Sequence, residues 1–208
     1  MDPLPANRRS EYIWGRQSGP SAHIMKVTIF NGTPRRNGNT AELTKCIAEC
    51  LRGCDVEEVF LDGLSLSGCK NCGACQKGAT EGRCSVKDDM IPLYEKFVES
   101  DAVILASPVY MWSFTAPAVA FLTRLHALYT EDHSHNFIEG KRIALAFTMG
   151  DDEFVAAQMV NSVMFFCEYF KAEYAGTMCV PFASKDQIHR HLYQEKAKDF
   201  AAALIASF

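Results

Sequence analysis

Two groups of residues have types and spacings that suggest chemistry. The first is Cys69, Cys72 and Cys75, spaced Cys-x2-Cys-x2-Cys and followed by Cys84. Thiolates from one tight loop can hold a [4Fe–4S] cluster or zinc, and free thiols of this kind are themselves redox-active. The second is the stretch Gly32-Thr-Pro-Arg-Arg-Asn-Gly-Asn-Thr40. Its small residues allow a ligand close to the backbone, and its hydroxyls supply donors. A helix starting at its end would turn N–H groups and a positive dipole end toward an anion. Thr33, Arg35, Asn37, Gly38, Asn39 and Thr40 are the expected phosphate contacts. The loop matches neither G-x-G-x-x-G nor the Gly-Lys-Ser/Thr ending of a nucleotide-triphosphate loop. A compact phosphomonoester suits it better.

These residues need elements to position them. An alternating run around Val27 and Ile29 predicts a strand before the loop, and a helix follows from Asn39-Thr40, with Glu42 as capping-box partner. Val56 to Leu61 reads as a second strand, and the cysteine segment as a loop. Asp88 or Asp89 should cap a helix that has Pro92 in its first turn and runs to about Ser100. Ala102 to Ala106 and Ile143 to Phe147 are continuous apolar runs, as buried parallel strands are. The first ends in Ser107-Pro-Val-Tyr-Met-Trp112, the second in Thr148-Met-Gly150. A helix from near Thr115, with Pro117 in its first turn, lies between these strands. Further helices are predicted over Glu153 to Phe170 and from about Gln187, the latter with Phe200, Ala201 and Leu204 on one face, and a strand over Gly176 to Val180.

Repeated strand–helix alternation predicts an α/β protein: a three-layer sandwich around a five-stranded parallel sheet in the order 2-1-3-4-5. In that order the ligand lies at the carboxyl ends of the strands, beside the switch between the first and third. Three loops should then line one pocket. Pro108, Val109, Tyr110, Met111 and Trp112, with Thr148 and Gly150, would frame a flat ring extending from the phosphate loop. Backbone N–H groups after Pro108 would meet the ring's acceptors. FMN has this combination of phosphate and ring.

The phosphate loop resembles the G-S-P-R-x-x-G-N-T loop of the NAD(P)H-dependent FMN reductases, with Thr33 replacing serine but keeping the hydroxyl. That superfamily is flavodoxin-like and includes quinone reductases and iron–sulfur flavoproteins. Ser107-Pro-Val-Tyr110 and Thr148-Met-Gly150 are similar to its ring-contacting segments, so the resemblance covers most of residues 25–208. It implies FMN as cofactor, NAD(P)H as co-substrate, a quinone, free flavin or other small electrophile as electron acceptor, and a homodimer. The flavin carries the chemistry, so no protein acid or base is assigned. The alternative it implies is an electron carrier with a [4Fe–4S] cluster on Cys69, Cys72, Cys75 and Cys84. Here the gap from Cys75 to Cys84 is longer than that subfamily leads one to expect. Cys84-Ser-Val-Lys-Asp-Asp-Met90 is similar to reductases that lack a cluster, so free thiols, a cluster and zinc all stay open. The loop itself is expected to wall the active site or form a dimer contact.

A chain of 208 residues suits one domain, and a net charge of −4 gives no footprint for nucleic acid. No apolar run approaches the roughly 20 residues of a membrane span. Residues 1–24 carry Pro3, Pro5, Arg8, Arg9 and Pro20 without an apolar core, so they read as a tag or flexible arm rather than a signal peptide. The FMN-binding domain is expected over 25–208, in the cytoplasm. Of the nine cysteines, Cys46, Cys50 and Cys54 interleave with Leu43, Ile47 and Leu51 and read as small core residues of the first helix, as Cys167 and Cys179 do elsewhere. His126, His133 and His135 receive no role.

Overall fold

The computed structural model describes residues 23–77, 82–132, 134–183 and 190–206. The expected arm, 1–24, therefore lies outside the described residues except for His23 and Ile24, and so do His133 and the expected helix start at Gln187. The order of elements is β1 (Lys26–Asn31), α1 (Asn39–Cys50), β2 (Asp55–Phe60), α2 (Met90–Glu99), β3 (Ala102–Pro108), α3 (Ala116–Arg124), β4 (Arg142–Thr148), α4 (Ala157–Phe170), β5 (Glu173–Val180) and α5 (Arg190–Ile205). The five strands form one sheet in the order β2-β1-β3-β4-β5, and every pairing is parallel. This is the flavodoxin-like arrangement expected from the sequence.

The central strands explain how the layers stack. Every residue of β3 and of β4 is buried, and successive side chains point to opposite faces. Val103, Leu105, Ile143, Leu145 and Phe147 enter the core shared with α2, α3 and α4. Ala102, Ala106, Ala144 and Ala146 face α1 and α5. The small alanines let those two helices come close to the sheet. The large residues fill the wider space under the other three, where Phe30 stacks on Phe121 at 4.4 Å. At the edges, β2 leaves Asp55, Glu57 and Glu58 exposed, which is why its sequence is charged.

Several local readings need correction. Glu42 closes no capping box: α1 begins behind Gly38, with no side-chain cap. The Glu42 carboxylate is instead taken by Arg190 of α5, an ion pair across the layer that outcompetes a local turn. Cys46 is fully buried, but α1 ends at Cys50 and Cys54 sits in the following turn, half-buried. Asp89 occupies the cap position of α2, yet the Met90 N–H is met by the neighbouring Asp88 (3.1 Å). Residues Glu153–Ala156, expected as the first turn of a long helix, form a tighter 3-10 turn before α4.

Candidate active site

The phosphate loop is built from the end of β1 outward. Asn31 is wholly buried, and its Oδ1 accepts the Thr33 N–H (2.9 Å), which bends the chain as it leaves the strand. Its Nδ2 donates to Glu58 (2.9 Å) and to Thr44 (3.2 Å), so β2 and α1 fix the amide. Thr33 Oγ1 then accepts from the Arg35 N–H (3.3 Å), and Arg35 O from the Gly38 N–H (3.0 Å). The first intrahelical bond of α1 runs from Glu42 N–H to Gly38 O. The N–H groups of its opening turn therefore precede the ladder, which is how a helix start receives an anion. Gly32 has a different task from the one its motif suggests. Its N–H donates to Ala106 O (2.8 Å), and its carbonyl accepts from Thr115 Oγ1 (2.7 Å) at the start of α3.

Thr33, Pro34, Arg35, Asn39, Thr40, Pro108, Val109, Tyr110, Thr148, Met149, Gly150 and Ala183 converge on one cleft of about 350 Å³. Loops after β1, β3 and β4 thus meet as the strand order requires, joined by the residue Ala183 after β5. Thr40 and Thr148 share a 2.6 Å hydroxyl bond across the floor. Asn39 accepts from the Tyr193 hydroxyl (3.2 Å). Two larger hollows, about 530 and 640 Å³, lie at the amino ends of β1 and β2 and along β5. Neither gathers the loop hydroxyls, so neither competes as the chemical site.

Other expected site residues lie just outside this lining. Asn37 is exposed and Gly38 is buried behind Arg35. Arg36 turns away and lies over the Phe60 ring at 4.6 Å. Tyr110 and Ser113 exchange both backbone bonds at 3.0 Å, closing a two-residue turn. Met111 and Trp112 at its tip have φ of 49° and 59° and are 81% and 55% exposed. This is the type I′ pattern, which Asn-Gly serves best; in residues this large it costs on the order of 1 kcal/mol each. The amides expected to face a ring are largely used: Val109 N–H donates to Thr148 O (2.9 Å) and Tyr110 N–H to Ser113 O. The sequence assigns no hydrogen-bonding role to Asn31, Ser107, Thr115 or Tyr193, although Ser107 and Thr115 mark a strand end and a helix start in it. The bonds of Thr115 to Gly32 and of Tyr193 to Asn39 join residues far apart along the chain, which no local pattern reveals.

The cysteine loop does not line the cleft. Arg124, 1% exposed, grips both ends of it. Its guanidinium donates to Ser67 O (2.9 Å) and Val86 O (3.3 Å), and forks onto both oxygens of Asp88 at 2.9 and 3.1 Å. Burial opposes charge on Asp88, but Arg124 outweighs it and holds the carboxyl below its ordinary value. Burial pushes the Tyr94 phenol well up, and its hydroxyl donates to Arg124 O (3.0 Å). Cys75 and Cys84 pack against the core, whereas Cys69 and Cys72 are exposed. Among the described residues no group of three or more His, Cys, Asp or Glu side chains is placed to hold a metal ion. The thiols as arranged do not fit a shared cluster. Cys72 is drawn below its ordinary thiol value by the Ala74 N–H and the Ser85 hydroxyl.

Comparison with known proteins agrees with this geometry. The family model for NADPH-dependent FMN reductase matches residues 25–183, more than half of the chain. An iron–sulfur flavoprotein of Methanosarcina thermophila is 31% identical over 61% of this chain and 63% of its own. One of Archaeoglobus fulgidus is 37% identical over 49% and 46%. The chain thus spans less than two thirds of the length of these two relatives. Among solved structures, an NAD(P)H:quinone oxidoreductase from Methanothermobacter marburgensis superposes with a TM-score of 0.67 at 15% identity, covering 89% of this chain and 98% of its own. The general stress protein 14 of Treponema denticola, in complex with FMN, gives 0.59 at 15% identity over 88% and 98%. Those likenesses bear on the fold alone. With the family model spanning all three cleft-forming loops, this chain belongs to the NADPH-dependent FMN reductase family.

Proposed function

We propose that the protein is an FMN-dependent oxidoreductase in which a hydride from NAD(P)H reaches a quinone, free flavin or other small electrophile. The observation that carries this reading is the convergence of the three strand-end loops on one cleft, with hydroxyls, a helix start and the Arg35 cation at one end. That donor set fits a phosphomonoester. At the other end a Cβ added to Gly150 would meet nothing within 4 Å, so the backbone there has room for a ring edge. FMN, when bound, supplies the two-electron hydride chemistry. Thr33, Arg35, Asn37, Gly38, Asn39 and Thr40 hold its phosphate in this reading. Pro108, Val109 and Tyr110, with Thr148 and Gly150, pack the ring. Since the Val109 and Tyr110 amides are engaged, donors to the ring come from further round the turn, at Met111 and Trp112.

The reading includes a homodimer, supported by the exposed Met164, Phe165 and Tyr169 on α4. Its setting is the cytoplasm, where NAD(P)H is supplied; among the described residues no helix is long and apolar enough to cross a membrane. The names of the relatives favour a second reading, an electron carrier with a cluster on Cys69, Cys72, Cys75 and Cys84. One preparation tests both. Anaerobically purified protein should bind FMN with resolved visible bands and no stoichiometric iron or sulfide, and should oxidise NAD(P)H with a quinone present. Arg35→Ala should weaken FMN binding about tenfold, the worth of one charge-assisted phosphate contact. Iron and sulfide at cluster stoichiometry would move the assignment to the electron carrier. No flavin binding would end both readings.

A further inference from the structure

Among the described residues, five that are not glycine have positive φ: Asn71, Met111, Trp112, Lys171 and Phe182. Two of them are ordinary. Lys171 ends α4 in the left-handed conformation that terminates many helices, and asparagine tolerates that region well. The other three are large, apolar and exposed: Met111 at 81%, Trp112 at 55% and Phe182 at 65%. All three stand at the carboxyl end of the sheet. Met111 and Trp112 follow β3 and Phe182 follows β5, with β4 and its Gly150 between those strands. Their chain neighbours Tyr110 and Ala183 line the cleft. Phe182 is set by its own N–H to Asp151 O (3.3 Å) and by the Ala183 N–H to Met149 O (2.8 Å).

Each position carries two unfavourable features at once, a strained backbone and a large apolar side chain facing water. Relief is chemically simple, since asparagine and glycine meet both demands at such positions. Strain of this kind persists where the surroundings impose it, and it clusters at ligand clamps. Aromatic side chains suit a clamp because they present a flat face and lose little rotamer freedom on contact.

We propose that Trp112 and Phe182, assisted by Met111, form a second subsite on the rim of the cleft that takes a flat conjugated ring. The ring belongs either to the electron acceptor or to the nicotinamide, and both offer the same stacking chemistry. The proposal rests on the FMN reading above, and the test separates the two.

The proteins to compare are the full chain and its Trp112→Ala, Phe182→Ala and Met111→Asn/Trp112→Gly variants. FMN binding is measured first, by quenching of flavin fluorescence. A wild-type chain that binds no FMN overturns the cofactor reading and the subsite with it. With flavin bound, stopped-flow traces give the rate of reoxidation by 1,4-naphthoquinone relative to ferricyanide, which cannot stack. They also give the rate of reduction by NADH or NADPH relative to dithionite. A fall of about tenfold in the naphthoquinone ratio, the loss of one aromatic contact, assigns the rim to the acceptor. The same fall in the NAD(P)H ratio assigns it to the nicotinamide. If neither ratio moves in variants that bind FMN, the subsite does not exist. The Asn-Gly variant guards against misfolding, because relaxing the turn should raise Tm above wild type. A Tm at or below wild type would overturn the strain on which the inference stands.

Discussion

Arg124 and Asp88 show how much one buried pair can organise. The two terminal nitrogens of the guanidinium are met by a carboxylate and two carbonyls, and these carbonyls lie at opposite ends of the cysteine segment, Ser67 and Val86. With the two side chains 1% and 11% exposed, Asp88→Asn leaves a cation buried without its counter-charge. The expected cost is about 3 kcal/mol in urea denaturation, with the cysteine loop opening to proteolysis first. The pH dependence has a definite sign. Because the folded carboxyl lies below its ordinary 3.8, its stabilisation is present above that value and lost as pH falls through the depressed one. Wild type should therefore lose its advantage over the variant on acidification below 3.8. A stability gap that stays constant with pH would show that Asp88 contributes by shape alone.

At the scale of elements, α3 is the piece that ties the two unusual loops together. Its first turn reaches the phosphate loop through the bond from Thr115 Oγ1 to Gly32 O, and Ser107 Oγ accepts the Thr115 N–H (3.2 Å). Its last turn holds the cysteine loop through Arg124 and through the bond from Cys69 N–H to Thr123 Oγ1 (3.3 Å). The contact at Gly32 leaves no space: an added Cβ would sit 2.6 Å from Thr115 Oγ1 and 2.8 Å from Ala118 Cβ. Gly32→Ala should thus push α3 off the loop, costing about 1–3 kcal/mol as overpacking does. Weaker FMN binding should accompany the lower urea midpoint. Loss of stability with FMN affinity intact would mean that the loop keeps its shape without α3.

At the scale of the whole molecule, α4 turns large apolar side chains outward among the described residues. On α4, Val163, Cys167 and Phe170 go inward, while Phe165 and Tyr169, one turn apart, face out at 70% and 64% exposure, beside Met164 at 46%. A stable dimer covers roughly 800 Å² on each partner, and its centre is rich in aromatic residues. Phe165→Lys should convert the proposed dimer to a monomer in sedimentation equilibrium with little change in fold. An unchanged mass would place any dimer contact on another face.

Much of this protein could be read from the chain because its signals are local. The apolar runs of β3 and β4 need no partner to be recognised, since a strand buried on both faces must be apolar throughout. Strand–helix alternation and short connections leave few topologies open, so the order of the sheet followed, and with it the meeting of Thr33–Thr40, Pro108–Tyr110 and Thr148–Gly150. Tertiary structure decided what depends on partners distant in sequence. Glu42 was taken from its own helix cap by Arg190, and Gly32 proved to make room for α3. The cysteine loop was drawn to Arg124 and away from the cleft. The backbone angles at Met111, Trp112 and Phe182 were equally hidden, because nothing local in a Met-Trp pair favours positive φ. Such a conformation persists only when the bonds around it, here Tyr110 to Ser113 and Phe182 to Asp151, leave the chain no other path.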